Sequence, residues 1–375
     1  MALDRAFAAP VASAFAVGFL SFGALKIPLL SPAVTGTLTW ALTTAPDSVR
    51  RPLLDQLSKY LSSKGIARGI TVLKVLLGLG IARQVHNALS ILAQDNMRLG
   101  SEKARYNWPQ EIVLITGGAG GFGCLLSEAF AARGLTVISI DIAEAMPARL
   151  QGNSKIHYYQ CDVTSRDAVF TLAERVRKEH GNPSILINNA GVGFNHTLVK
   201  ASESAIRKIF EVNTISHYWT IQAFLPAMVA DKKGQIVSMA SMAAFCGTSS
   251  MGPYCSSKVA VLALHETLRQ ELRVIHKTPE VKCTIVHPTF AATPMTAKFK
   301  DELAGKAQII DPTIVSNAVV NQVLSCKGGQ IILPGDLTMI PVIMRGLPHW
   351  LTYALLRSKE DDAITKPGLD ERAAD

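Results

Sequence analysis

The stretch EIVLITGGAGGFGCLLSEAFAARG, Glu111–Gly134, decides how the rest of the chain is read. Ile112–Thr116 is an aliphatic, β-branched run without polar alternation, the pattern of a strand covered on both faces. Five of the next seven residues are glycine, and from Phe122 apolar residues recur at helical spacing as far as Arg133. A strand, a glycine turn and a helix in that order let the backbone approach a pyrophosphate and offer it the free N–H groups of the helix N-terminus. Gly117, Gly121 and Gly123 are the candidate positions. A glycine run alone is equally a tight turn; the flanking strand and helix make it a dinucleotide-binding candidate.

Working outward, the same alternation continues from Trp108 to Pro334. Strand candidates are EIVLIT, LTVISID, KIHYYQCD, SILINNAG, GQIVSMAS, VKCTIVHP and GQIILP. Between them lie helical patterns over Phe122–Arg133, Arg166–His180, Ala205–Val229 and Ser256–His276. Near-continuous apolar strands separated by helices predict a parallel sheet covered on both sides, here an α/β, Rossmann-type, doubly wound fold of seven strands. The expected organisation is an apolar, basic region over residues 1–105, the nucleotide-binding catalytic domain over 106–335, and an apolar C-terminal segment with a charged tail over 336–375.

The second strand ends at Asp141, where a carboxylate can accept hydrogen bonds from adenosine ribose hydroxyls and would repel a 2′-phosphate. No arginine follows it or sits in the glycine loop, so the expectation is NAD rather than NADP. The alternative is a strand-terminal aspartate that starts a turn. Asp162, after the third strand, can hold the adenine edge or cap the helix beginning near Ser165. Asn188 and Asn189 end the fourth strand, where asparagine often knits loops together. Asn213 lies inside an otherwise helical pattern, a position unfavourable by propensity that suggests a local break or a polar role.

The fifth strand runs into Ser241, followed by Tyr254 and Lys258. Spacing of i and i+4 puts the last two on one helix face. An ammonium beside a phenol favours phenolate, lowering a pKa of about 10, so Tyr254 is expected to exchange a proton with an alcohol or carbonyl. Ser241 can fix the same oxygen. A Tyr-x-x-x-Lys pair alone is weak, but behind a strand-end serine and downstream of a nucleotide loop it is specific.

The flanks carry a different signal. Apolar residues make up 48% of the chain, charged residues only 18%, and the mean hydropathy is +0.23. Residues 1–105 hold twelve Lys and Arg against five acids, most of the net charge of +9. Ala6–Leu25 is uncharged for twenty residues, the length needed to cross a bilayer core of about 30 Å. It can be a retained span, a cleaved leader or a buried helix, and hydropathy favours the first. GIARGITVLKVLLGLGIARQVHNALSILA reads as an interfacial or membrane-packed helix from which Lys74 and Arg83 snorkel. A basic, apolar leader without basic–aromatic interleaving fits a membrane surface and not nucleic acid. The C-terminal segment, with Arg345 and Arg357 spaced along it, reads as a membrane-touching or substrate-covering element, or as a helix packed on the sheet. The six cysteines form no CxxC pair, which points to a reducing compartment. The histidines show no paired ligand spacing, so no metal site is expected.

In order, TGGAGGFG, CDV, NNAG, Asn213, Ser241, YCSSK and HPTFAAT make Glu111–Pro334 resemble a short-chain dehydrogenase/reductase. The resemblance implies that Tyr254 is the acid/base and that Lys258 binds the nicotinamide ribose and tunes Tyr254. It implies that Ser241 positions the substrate oxygen and Asn213 supports a proton-relay water. Along the cofactor it implies Thr116, Gly117, Gly121, Phe122, Gly123, Asp141, Asp162, Val163, Asn189, Ala190 and Gly191, with Thr293 at the nicotinamide amide. One departure is Pro288-Thr289 where members commonly have Pro-Gly. FEVNTISHYWTIQAFLPAM and YCSSKVAVLALHETLRQEL are most similar to the membrane-associated retinol and 17β-hydroxysteroid dehydrogenase branch. That implies a lipophilic alcohol or ketone (retinoid, steroid or long-chain lipid) and attachment to endoplasmic reticulum or lipid droplets with the catalytic domain facing the cytosol. Relatives are commonly homo-oligomers. Two alternatives stand beside this reading: an NADPH-dependent carbonyl reductase, against which Asp141 argues, and a non-catalytic nucleotide-binding membrane adaptor, against which the complete Ser-Tyr-Lys-Asn set argues.

Overall fold

The computed structural model of the chain describes residues 30–193, 196–297, 309–338 and 345–352, and the chain divides into two units after Ala93. The expected span Ala6–Leu25 lies outside the described residues. In the first unit, helix α1 (Pro32–Thr43) opens on a proline whose missing N–H costs nothing there. Helix α2 (Asp47–Ser58) starts on Asp47, whose carboxylate takes Arg50 at 2.6 Å and Arg51 at 2.8 Å. Helix α3 (Ser63–Gln94) is 32 residues long, about 48 Å at 1.5 Å per residue. It passes close to the start of α1: a Cβ on Gly80 would lie 2.6 Å from the Leu30 carbonyl oxygen. Among the described residues α3 is the one helix long and apolar enough to cross a membrane. Val72, Val75, Leu79, Val85, Leu89 and Ile91 along it are each about half exposed.

The second unit is built on seven strands: β1 (Ile112–Thr116), β2 (Thr136–Asp141), β3 (Ile156–Gln160), β4 (Ile185–Asn188), β5 (Gln235–Met239), β6 (Lys282–Pro288) and β7 (Gly329–Leu333). All pairings are parallel, in the order β3-β2-β1-β4-β5-β6-β7. Side chains alternate between two cores, as a period of two requires. Val113 and Ile115 of β1 pack with Leu126 and Phe130 of α4 (Gly121–Ala131) on one face. Ile112 and Leu114 pack with Leu172 and Val176 of α5 (Arg166–Glu179) on the other. The order reverses between β1 and β4, and at that switch point the carboxyl ends of the strands open a crevice.

Three boundaries differ from expectation. The expected helix over Ala205–Val229 is α6 (Glu203–Phe210), a π turn over Glu211–Ile215, and α7 (Ser216–Ala230). Helix α8 (Gly252–Val274) begins ahead of the predicted Ser256, so Tyr254 is already helical. The sheet unit also begins at Gln94, earlier than the sequence boundary at 106. Asp95 is buried with its carboxylate 2.9 Å from Lys282 Nζ of β6, and Arg105 donates to the carbonyls of Lys232 and Asp231 at 2.7 and 3.2 Å. Charges that read as part of a leader are used to fasten this segment under the sheet.

Candidate active site

The glycine loop at the switch point has the shape that a dinucleotide needs. Gly117 has φ +67°, and a Cβ there would lie 2.8 Å from Ala190 Cα. A Cβ on Gly123 would lie 2.0 Å from the Gly117 carbonyl oxygen, so any side chain must push the loop open. Phe122, half-buried, packs against the core on the α4 side. The N-cap of α4 is Gly120, which offers no side-chain oxygen. The first-turn N–H groups of α4 thus have no capping side chain, which leaves them able to receive an anion. Thr293 faces this loop, its Cβ 3.6 Å from where a Gly121 side chain would begin.

Thr116 and Asn189 act on the shape of the crevice. Thr116 Oγ1 accepts from the backbone N–H groups of Asn189 and Ala190, both at 2.9 Å. The Asn189 amide donates to the carbonyls of Thr116 at 2.9 Å and Gly117 at 3.1 Å. Together they tie the end of β4 to the glycine turn. Asp141 sits beside that turn: one carboxylate oxygen accepts from Ala119 N at 2.9 Å and the other from Ala143 N at 3.1 Å. It is at once a turn residue and an acceptor at the loop. Asp162 is exposed, and one of its oxygens takes both the N–H and the hydroxyl of Thr164, at 2.9 and 2.8 Å. It does not cap α5; Ser165 does, accepting from Ala168 N at 3.3 Å. The helix-capping alternative for Asp162 is therefore corrected, because Ser165 stands closer to the free N–H groups. Val163 beside it is buried.

The second half of the crevice is built by β5, α8 and the π turn. Lys258 is buried, its Nζ donating to the Met239 carbonyl at 2.9 Å and lying 5.7 Å from the centre of the Tyr254 ring. Burial lowers the Lys258 ammonium to about 8. The Tyr254 phenol sits above its ordinary value: burial raises it, against a lowering by the Ser241 hydroxyl hydrogen-bonded to it, while Cys255 adds a further rise. Spacing alone predicts a lowered phenol, and the correction is physical, since removal from water outweighs the favourable neighbours. The Ser241 hydroxyl also accepts from Ala243 N at 3.2 Å and reaches the Pro288 carbonyl at 3.4 Å.

Asn213 is fully buried in the π turn. Its carbonyl oxygen accepts from Val192 N at 2.8 Å, and its amide donates to Val192 O at 2.9 Å and Ser257 Oγ at 3.1 Å. Asn213 thus joins the loop after β4 to the first turn of α8. Gly191 lies between the two halves, with a Cβ there 3.5 Å from Asn213 Oδ1 and 3.6 Å from Lys258 Nζ.

Sequence reading passed over three residues here. Ser257 bonds Asn213 and, at 2.7 Å, the Tyr254 carbonyl. His217 is buried, and neither ring nitrogen has a hydrogen-bond partner among the described residues. Burial, with the Lys258 charge second, pushes it down to about 3. His287, on β6, reaches the Ser241 carbonyl. His217 stands four residues after Asn213, a spacing that signals a shared helix face; His287 gives no local signal at all. The described start of the C-terminal segment also reaches this region, with Arg345 donating to the carbonyls of Ala244 and Phe245, both at 3.1 Å.

The chain is similar to known proteins. Residues 111–304 match the family model for short chain dehydrogenase. Estradiol 17-beta-dehydrogenase 11 from Homo sapiens is 33% identical over 275 residues, covering 72% of this chain and 90% of that protein. Epidermal retinol dehydrogenase 2 from Homo sapiens is 35% identical over 231 residues, covering 60% and 74%. A short chain dehydrogenase/reductase from Burkholderia phymatum, solved in complex with NAD, superposes with a TM-score of 0.57 at 25% identity, covering 62% of this chain and 91% of that one.

Proposed function

The chain belongs to the short chain dehydrogenase family, and on that premise we propose a membrane-associated, NAD-dependent enzyme that interconverts a lipophilic alcohol and its carbonyl. Family membership makes it an alcohol dehydrogenase or reductase with a nicotinamide dinucleotide; the cofactor's identity, the substrate and the residue roles are our reading. The observation that carries it is the buried Lys258 ammonium, held by the Met239 carbonyl at the end of β5 and 5.7 Å from the centre of the Tyr254 ring.

A nicotinamide dinucleotide supplies the hydride acceptor or donor. The protein's residues handle the proton and the geometry. Ser241 holds the substrate oxygen, and Tyr254 takes its proton during oxidation or returns one during reduction. Lys258 holds the nicotinamide ribose and favours the phenolate, and Asn213 supports a proton relay behind it while fixing the loop at Val192. The uncapped start of α4 receives the pyrophosphate, Asp141 the adenosine ribose, and Thr293 the nicotinamide amide. The carboxylate of Asp141 at the glycine loop supports NAD over NADP.

The substrate class is supported by two relatives named for estradiol and retinol. The exposed apolar surface of α3 and the basic leader support attachment to a membrane. Buried thiols at Cys124, Cys161, Cys255, Cys283 and Cys326 are free, which supports a catalytic unit facing the reducing cytosol, on endoplasmic reticulum or lipid droplets.

The test is a cofactor absorbance assay on detergent-purified protein, offering NAD and NADP with retinol, estradiol and a long-chain secondary alcohol. Turnover with NAD that falls about 1,000-fold in Tyr254→Phe, with NAD binding kept, is the expected result. Faster turnover with NADP replaces the cofactor assignment. Tight NAD binding without turnover of any alcohol or of its carbonyl sinks the substrate reading.

A further inference from the structure

The chain leaving β5 loses its pairing with β6 just where the serine must be held still. Ala240 N donates to the Val286 carbonyl at 2.8 Å, the last rung between the β5 and β6 lines. Pro288 then offers no N–H, and the ladder stops. One residue further, the Ser241 carbonyl accepts from Ala244 N at 3.0 Å within its own turn, and across the sheet it is met by a side chain: His287 Nδ1 lies 3.0 Å from it. A carbonyl only accepts, so this ring nitrogen carries the proton and Nε2 is a bare acceptor.

The ring is well suited to that task. It has no solvent exposure, and burial holds it down at about 4, so it stays neutral with the donor in place. Phe245, at the far end of the turn that Ser241 begins, packs on it with centroids 4.6 Å apart. The Phe245 carbonyl is itself held by Arg345. The turn Ser241–Phe245 closes on itself through Ala244 N; what ties it to the sheet is the His287 N–H at its start, and at its end ring packing and the Arg345 guanidinium.

We propose that His287 is the positioning residue of Ser241: its ring N–H on the Ser241 carbonyl fixes the turn that aims the serine hydroxyl at Tyr254 and the substrate oxygen. The inference rests on the role given to Ser241 above. His287 touches neither substrate nor cofactor; it acts through the serine.

Two substitutions separate the hydrogen bond from the packing. His287→Phe keeps an aromatic ring against Phe245 and loses the donor. His287→Asn loses the ring but keeps an N–H near the position of Nδ1. Each is made in the full chain, alone and with Ser241→Ala, and assayed with the alcohol of the panel that the parent oxidises fastest. NAD binding and thermal unfolding are measured beside it. The expected result is a kcat about 10- to 100-fold lower in His287→Phe with near-parent unfolding, and within about threefold of the parent in His287→Asn despite lower stability. On the Ser241→Ala background, His287→Phe then costs no further kcat.

The reverse order, with Asn the slower and Phe near the parent, overturns the proposal in favour of packing alone. So does a His287→Phe loss that multiplies in full with that of Ser241→Ala. If Ser241→Ala alone leaves kcat unchanged, the role of the serine fails first, and the inference falls with it.

Discussion

Helices α3 and α4 are both strongly apolar, yet they meet opposite surroundings. In α4, Leu126 and Phe130 have no exposure, and each such side chain contributes about 1.5–3 kcal/mol by leaving water. In α3, Val75 and Leu79 are 56% exposed and only Gly80 is buried. Apolar composition therefore does not by itself mean interior. What separates the two is length and neighbourhood. Eleven residues between two strands have a sheet to cover, whereas 32 residues with apolar side chains on every side exceed what any one sheet face accepts. Helix α4 specifies a core, whereas α3 leaves its apolar side chains exposed, as the proposed membrane attachment requires.

The comparison breaks first at matched lysines. Leu126→Lys puts an ammonium into the core at a cost of several kcal/mol, and the catalytic unit should not fold by circular dichroism. Leu79→Lys should leave the melting curve of that unit unchanged while reducing binding to phospholipid vesicles about 100-fold, the effect of roughly 3 kcal/mol at the centre of a span. Equal damage from both would mean that α3 too covers a protein core.

Acid is the next discriminator, because burial has trapped neutral histidines only in the sheet unit among the described residues. His217 and His265 are held down at about 3 and His287 at about 4. The unfolded chain binds these protons near 6.5 and the folded chain does not. Stability is therefore fully present above about pH 6.5 and falls as pH drops toward 3–4, by about 2 kcal/mol per histidine at pH 5. Urea midpoints between pH 7 and 5 should fall steeply, and less so in His217→Gln. A flat profile would contradict the burial.

Gly123→Ala should act more locally. Its Cβ must displace the Gly117 carbonyl, at about 1–3 kcal/mol, with NAD affinity lost in calorimetry before the fold is. The smallest expected effect is Asp141→Ala, which should raise kcat/KM with NADP relative to NAD about tenfold, roughly 1.4 kcal/mol.

Much of this fold is legible in the sequence. Each of the seven apolar runs became a strand, because a parallel strand buried on both faces announces itself without needing a partner's sequence. Tyr254 and Lys258 were legible because i and i+4 is a property of one helix. What was hidden depends on pairs that sequence does not juxtapose. The sheet unit starts at Gln94 because Asp95 finds Lys282, far along the chain. His287 reaches Ser241 only because β5 and β6 are neighbours. The rise of the Tyr254 phenol is a matter of burial, which spacing does not report. Ser165 caps α5 and Asp162, three residues earlier, does not, because the N-cap is set by where the helix begins to within one residue.

The π turn at Glu211–Ile215 has a consequence of phase. Such a turn is a helix holding one surplus residue, so α6 and α7 are wound out of step with each other by about 100°. Deleting any one residue between Glu211 and Ile215 would restore an unbroken α-helix, with better backbone hydrogen bonds than the native one. Deletion of Val212 or Thr214 would also turn Asn213 away from Val192 and Ser257. Here the irregular helix is the one that latches, and a change that improves its regularity would unlatch the loop after β4 from the first turn of α8.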